Sequence, residues 1–173
     1  TRLDRKTVDM QKVVDSAVSS ARAAYPERSI EVDTQCVRPP MVNGDPDRLH
    51  QVLMNLINNA FKHGGSDVDV TITLRENLDR IVIEVADNGR GMAEEDAARI
   101  FDRFYRADAS RHRAGGGGSG LGLAITKSLI EQHEGTITVD TAPGALDRPP
   151  TGARTVTLPG DAVLLPGLVD THA

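Results

Sequence analysis

Cysteine is nearly absent from this sequence: Cys36 is the sole one among 173 residues. One thiol excludes an internal disulfide framework and a metal centre built from clustered thiolates, and it fits a cytosolic, reducing setting. Basic charge is not in excess either. Twenty Lys and Arg stand against 25 Asp and Glu, giving a net charge of −5 without any dense basic run, which argues against a general nucleic-acid binder. No apolar stretch approaches the roughly 18 residues of a membrane span, and the amino-terminal residues lack a signal-peptide pattern. Aromatics are scarce, and three of the five Phe and Tyr residues fall within positions 101–105. What is present, 39% hydrophobic and 26% charged residues, is the composition of a soluble globular protein. The length suits one domain with a sizeable core. The chain opens on Thr1 rather than Met and is expected to be a piece of a longer protein.

The stretch around which the chain is organised runs from Asp45 to Gly64. Asp45-Pro46 is a helix start, with a carboxylate to cap free N–H groups and then a residue that needs no N–H at the first position. Gly64 suits the left-handed turn that ends many helices. Between them Leu49, Val52, Leu53, Leu56, Ile57, Ala60 and Phe61 recur at the spacing of a buried helical stripe. Asn55, Asn59 and Lys62 stand four and three residues apart on the other side and so point the same way. Two readings stay open from the helix alone. One is a solvated polar face; the other is a site for a cation and an anion together, because amide oxygens suit a hard ion such as Mg²⁺ and an ammonium suits phosphate.

Before that helix the pattern predicts a strand over 5–9, a helix over 10–25 stopped by Pro26, a strand over Ser29–Asp33 and a short one over Met41–Asn43. After it, Val68–Leu74 and Arg80–Ala86 alternate apolar and polar residues and read as an antiparallel hairpin turning at Glu76–Asp79, with one face packed on helices. The second strand runs into Asp87-Asn88-Gly89-Arg90-Gly91-Met92. This is good chemistry for a plain surface turn. It also suits a pocket wall on which the Asp87 carboxylate accepts a hydrogen bond from an adenine amino group while the glycines allow close approach.

Arg99-Ile100-Phe101-Asp102-Arg103-Phe104-Tyr105-Arg106 follows, its aromatics suited to local packing and its arginines to the surface or to phosphate. Residues 107–118 are polar and then purely glycine, the character of a mobile lid. A helix over 120–134, stopped at Gly135, and strands over Thr136–Asp140 and Arg154–Leu158 complete the pattern, with a Pro-rich connection over 143–150. Residues 1–160 are expected to form one domain; 161–173 carry no regular pattern and are open to being an artificial tail. Gly115, Gly117 and Gly120 satisfy a dinucleotide-binding fingerprint, but no buried strand precedes them, and the P-loop lysine is missing. The glycines do lead into a helix, whose amino end offers unpaired N–H groups to an anion, so phosphate binding is the favoured reading.

NLINNAFKH, DNGRGM, IFDRFYR and GSGLGLAI, in that order from Asn55 to Ile125, resemble the N box, first glycine box, F box and second glycine box of the catalytic ATP-binding domain of two-component sensor histidine kinases. The resemblance implies a two-layer α/β sandwich, a mixed sheet with helices on one face, as in the gyrase, Hsp90 and MutL ATPases. It implies ATP and Mg²⁺ as ligands. Asn59 would coordinate Mg²⁺ with help from Asn55; Lys62 and His63 would meet phosphate or ribose; Asp87 would accept from adenine, with Gly89, Gly91 and Met92 shaping that wall. Ser119, Gly120, Leu121 and Gly122 would hold phosphate oxygens through main-chain N–H groups, joined by Arg103 or Arg106. By helical phase His63 leans toward the apolar side, where it would pack instead.

In the hydrolytic relatives and related serine kinases a Glu stands at the position of Asn55 as general base. Neutral imidazole needs no such base, because it already carries a free lone pair near pH 7. Phosphoryl transfer to a histidine is the expected reaction, with Asn55, Asn59 and Lys62 as its catalytic side chains. The resemblance places the acceptor histidine on a separate dimerisation domain, and none of His50, His63, His112, His133 and His172 stands in its motif. That domain and a response regulator are the implied partners, this chain by itself is expected to be monomeric, and the cytoplasmic part of a membrane-bound sensor is the implied location. Two alternatives remain: a hydrolytic or serine-kinase relative, and a nucleotide-binding regulatory module without catalysis.

Overall fold

The computed structural model describes residues 2–64, 67–89, 99–102, 122–140 and 152–160. In chain order these form β1 (Lys6–Asp9), α1 (Met10–Ala24), β2 (Ser29–Gln35), β3 (Met41–Gly44), α2 (Pro46–Gly64), β4 (Asp69–Asn77), β5 (Arg80–Asp87), α3 (Gly122–Gln132), β6 (Thr136–Asp140) and β7 (Gly152–Pro159). Five strands make one mixed sheet in the order β2-β4-β5-β7-β6, parallel between β2 and β4 and antiparallel elsewhere. A separate two-stranded ribbon pairs β1 with β3.

The alternation in β4 and β5 decides which face of the sheet is covered. Val70, Ile72 and Leu74 with Ile81, Ile83 and Val85 are buried, while Asp69 and Thr71 on the opposite face are exposed. Against this apolar face lies the expected stripe of α2, and one continuous core cluster takes in Val13, Val14, Ala17, Val18 and Ala21 of α1 and Leu129 and Ile130 of α3. Each large aliphatic side chain so enclosed contributes roughly 1.5–3 kcal/mol. The helix ends follow local chemistry. Asp9 caps α1 by accepting from the Gln11 N–H at 2.9 Å, and Tyr25, just before Pro26, closes it by donating its N–H to Ala21 O at 2.8 Å.

Several boundaries differ from the sequence pattern, among them β7, which runs over Gly152–Pro159 where Arg154–Leu158 was expected. Strand β2 continues to Gln35 because its ladder with β4 carries on to Arg75 although the apolar alternation has stopped. The hairpin turn is tighter than expected, only Leu78-Asp79, with Leu78 at φ 59° and its side chain in solvent. Helix α3 spans 122–132, and the left-handed residue after it is Glu134 at φ 63°, not Gly135. Gly135 is glycine for another reason: a Cβ there would sit 2.4 Å from the Thr157 carbonyl oxygen of β7.

His133 joins α3 to the start of α2. Buried almost completely, it donates from Nδ1 to Leu129 O at 2.7 Å and accepts the Asp45 N–H at Nε2, 3.0 Å away. A carbonyl can only accept and an N–H can only donate, so these partners define the neutral tautomer. The ring lies so close to Gly44 that a Cβ there would fall 2.7 Å from its Cδ2. Burial holds the His133 pKa below its ordinary value, helped by the Arg5 cation and opposed by the Leu129 carbonyl and the Asp45 carboxylate.

Gly135→Ala is expected to cost about 1–3 kcal/mol in urea unfolding, through the enforced shift of β7. Since the fold favours neutral His133, the unfolded chain binds the extra proton first, and stability falls as pH drops below the ordinary histidine value of about 6.5. The melting temperature should therefore be level above about pH 7 and decline toward pH 5, with His133→Gln flattening the decline. The depressed Asp45 carboxyl contributes only further down, below its ordinary value of 3.8.

Candidate functional site

The polar face of α2 is aimed by its first turn. Asp45 Oδ1 accepts the N–H groups of Asp47 at 3.1 Å and Arg48 at 3.3 Å, while Oδ2 accepts the Asp4 N–H at 3.0 Å. These donors hold the Asp45 carboxyl below its ordinary pKa, the Asp4 bond foremost, against the opposing effect of burial. With the apolar stripe of α2 against the sheet, Asn55 and Asn59 come to rest half-buried and Lys62 exposed.

The consecutive asparagines 58 and 59 divide their tasks. Asn58 turns toward α1 and accepts from the Tyr25 hydroxyl at 2.9 Å. Asn59 Oδ1 is buried without any hydrogen-bond partner, a condition shared among the described residues only by Arg38 Nε. An unsatisfied buried carbonyl oxygen costs about 1–3 kcal/mol. It is also the kind of oxygen that a hard cation takes as a ligand.

Asn55 is engaged. Its Nδ2 donates to Thr126 Oγ1 at 3.1 Å and makes a longer contact of 3.4 Å with Gly122 O, both on α3. Thr126, fully buried, in turn donates its hydroxyl to Gly122 O at 2.8 Å. The expectation that Asn55 assists a metal therefore rests on its Oδ1, since an amide N–H is no ligand for a cation. Gly122 opens α3, and a Cβ on it would meet nothing within 4 Å.

Asp87 is the last residue of β5, on the buried face, and its Oδ1 accepts the Gly89 N–H at 2.9 Å. The next residue pins the chain: Asn88 Oδ1 accepts the Asp69 N–H at 2.8 Å and Nδ2 donates to Asp69 Oδ2 at 3.2 Å. The exit from β5 is thus tied to the first residue of β4, and the Asp87 carboxylate is fixed at the strand end. In the aromatic stretch Ile100 is buried, Phe101 packs on the core, and Arg99 pairs with Asp102 at 3.3 Å.

Among the expected site residues, the structure brings Asn55 directly to Gly122, sets Asn59 and Lys62 further along the same helix, and places Asp87 and Gly89 at the end of β5. Gly91, Met92, Arg103, Arg106, Ser119, Gly120, Leu121 and the expected lid over 107–118 lie outside the described residues, as do the His63 side chain and residues 161–173. Thr126 and His133 escaped the motif reading. A signal for both was there: they share a buried stripe with Leu129 and Ile130 at helical spacing, and a hydroxyl and an imidazole in such a stripe require partners.

Residues 44–161 match the family model described as histidine kinase-, DNA gyrase B-, and HSP90-like ATPase. The probable sensor histidine kinase TcrY of Mycobacterium tuberculosis is 41% identical over 142 residues, which cover 82% of this chain and 30% of that protein. The chain thus spans about a third of the length of the first curated relatives it matches. Among solved structures, the mycobacterial sensor histidine kinase MprB superposes with a TM-score of 0.76 at 30% identity, over 90% of this chain and 97% of that one. The ATP binding domain of PrrB from Mycobacterium tuberculosis does so with a TM-score of 0.66 at 26% identity, over 91% and 98%.

Replacing Asn59 by Leu removes the orphaned oxygen while keeping similar volume. The ligand-free variant is expected to melt at the same temperature or higher, with a gain of up to about 2 kcal/mol. A loss of that size in a thermal scan would mean that the oxygen has a partner in solution.

Proposed function

This chain belongs to the histidine kinase-, DNA gyrase B-, and HSP90-like ATPase family as the ATP-binding catalytic domain of a sensor histidine kinase, and from that membership we propose that it donates the ATP γ-phosphoryl group to a histidine on a separate dimerisation domain. The observation that carries this reading is Asn55: where a hydrolytic relative has a carboxylate base, this chain has an amide whose nitrogen is bonded into α3. Such a side chain cannot take a proton from water or from a serine hydroxyl. It suits an acceptor that needs no deprotonation, the neutral imidazole.

The remaining roles are assigned on the same basis. Asp87 accepts the adenine amino group, supported by its fixed place at the end of β5, with Gly89, Gly91 and Met92 beside the base. Lys62 and His63 meet phosphate or ribose. Ser119, Gly120, Leu121 and Gly122 offer main-chain N–H groups at the start of α3, with Arg103 or Arg106 adding positive charge. Mg²⁺ fits the donor set, because Asn59 Oδ1 is a buried oxygen without a partner; Asn59 would hold the ion and Asn55 Oδ1 would assist. When bound, the ion supplies neutralisation of phosphate charge. The protein contributes positioning and electrostatic stabilisation, the main requirements of phosphoryl transfer.

Residues 1–160 are taken as one catalytic domain, supported by the way α1 shares a core with the matched region. The dimerisation domain and a response regulator are the proposed partners. No helix among the described residues is long and apolar enough to cross a membrane; the proposed setting is the cytoplasmic part of a membrane-bound sensor.

Calorimetric titration with ATP, with and without Mg²⁺, is expected to show saturable one-to-one binding, weakened at least about tenfold by Asp87→Asn through loss of a charge-assisted bond. The chain alone should not phosphorylate itself, yet should label a supplied acceptor domain in the presence of ATP and Mg²⁺. Binding without any transfer to the acceptor would favour a regulatory nucleotide-binding module, and efficient hydrolysis by the unaltered chain would count against histidine as the target.

A further inference from the structure

Thr126 is a polar residue at a fully buried position of α3, and its hydrogen bonds have a direction. The hydroxyl has one proton, given to Gly122 O at 2.8 Å. What it has left for Asn55 is a lone pair, and Gly122 O also offers only lone pairs. Both groups facing the Asn55 amide from α3 are therefore acceptors, at 3.1 and 3.4 Å, and only the amide nitrogen can meet them. The usual ambiguity between the two ends of an asparagine amide is removed here by its partners. Asn55 Oδ1 must take the end away from α3. A valine at 126 would have nearly the same shape but would leave the amide only its longer contact to Gly122 O.

We infer that Thr126 is a positioning residue for nucleotide binding, its hydroxyl fixing both the amide orientation of Asn55 and the register of the first turn of α3 against the Asn55, Asn59 and Lys62 face of α2. The inference rests on the reading that this face and the start of α3 hold metal and phosphate. It adds a residue outside the four motif roles, acting on the phosphate end of the ligand and not on the adenine end, which belongs to Asp87 at the end of β5. It also bears on position 55: asparagine brings a donor to Gly122 O, which an ionised glutamate does not.

The test compares Thr126→Val with Thr126→Ser in two measurements. In the ligand-free protein, the side-chain amide hydrogens of Asn55 are followed by nuclear magnetic resonance. They should exchange slowly in the unaltered chain and in Thr126→Ser, and lose that protection in Thr126→Val. In calorimetry, Thr126→Val should bind ATP in the presence of Mg²⁺ about threefold to tenfold more weakly, the worth of one neutral hydrogen bond, with Thr126→Ser restoring affinity to within about twofold. Adenosine, which lacks phosphate, should bind all three proteins equally. Should Thr126→Val fail to fold, Thr126→Ala, which removes the hydroxyl without adding a methyl group, is held to the same comparison.

Equal affinity for ATP with Mg²⁺ in the unaltered and Val proteins overturns the inference while leaving the nucleotide site standing. Parallel weakening toward adenosine overturns it too, since it marks a general loss of structure. An unaltered chain that binds neither adenosine nor ATP overturns the site reading itself, and with it the role given to Thr126.

Discussion

The carboxylate of Asp45 is the point on which the described architecture hangs. It gathers main-chain N–H groups from the first turn of α2 and from the segment ahead of β1, and its own N–H is taken by His133 at the end of α3. The segment ahead of β1, helix α2 and helix α3 are thereby referred to one residue. Several charge-assisted bonds converge there, each stronger than a bond between neutral groups.

A second tie lies further along the same helix. Asn55 stands ten residues after Asp45, and Gly122 stands eleven residues before His133. At 1.5 Å per residue the two spans both come to about 15 Å. Helices α2 and α3 therefore run antiparallel with a polar bond at each end and Leu129 and Ile130 packed in the core between. Fastened at two points, α3 has little freedom to slide or rotate relative to α2. Phosphate transfer depends on such placement, because its chemistry asks more of geometry and charge than of covalent participation by the protein. The orphaned oxygen of Asn59 has the opposite character: it costs the fold stability and is available to a ligand.

Periodicity revealed most of the scaffold because it reports burial directly. The stripe on α2, the inward positions of β4 and β5 and the cap at Asp45 follow from side-chain phase and local backbone need and are found in the structure, although Val82 on the other face of β5 is buried as well. Long-range contacts were out of its reach. Nothing local in TITLREN says that β4 takes a parallel neighbour from residues 29–35, and the pairing of β1 with β3 joins segments some 35 residues apart. Gly135 invited a local explanation, a helix stop, where the cause is the passing carbonyl of Thr157. Within the site, Asn55 was recognisable as a functional position by motif, but its partner was hidden because a threonine in an apolar stripe resembles any small core residue until the facing helix is known. Helical phase set Asn59 apart from its neighbour Asn58, but that Asn58 is engaged by Tyr25 while the oxygen of Asn59 is left without a partner could be read only from the packing.

The order of strands has a bearing on how the molecule is made. In the sheet β7 lies between β5 and β6, although it is the last of the five to be synthesised. Until residues 152–159 leave the ribosome, β5 has an open edge and β6 has no partner among the described strands. The nascent chain can form the β4–β5 hairpin, lay β2 beside it and tie α3 to α2, but β6 waits on an insertion between two strands already present. Such non-local closure is slow and leaves strand edges open to wrong pairings in the meantime. Acquisition of the native sheet is thus postponed to the end of translation of this region, and a transcript broken off within the 143–150 connection would yield a product that cannot complete it.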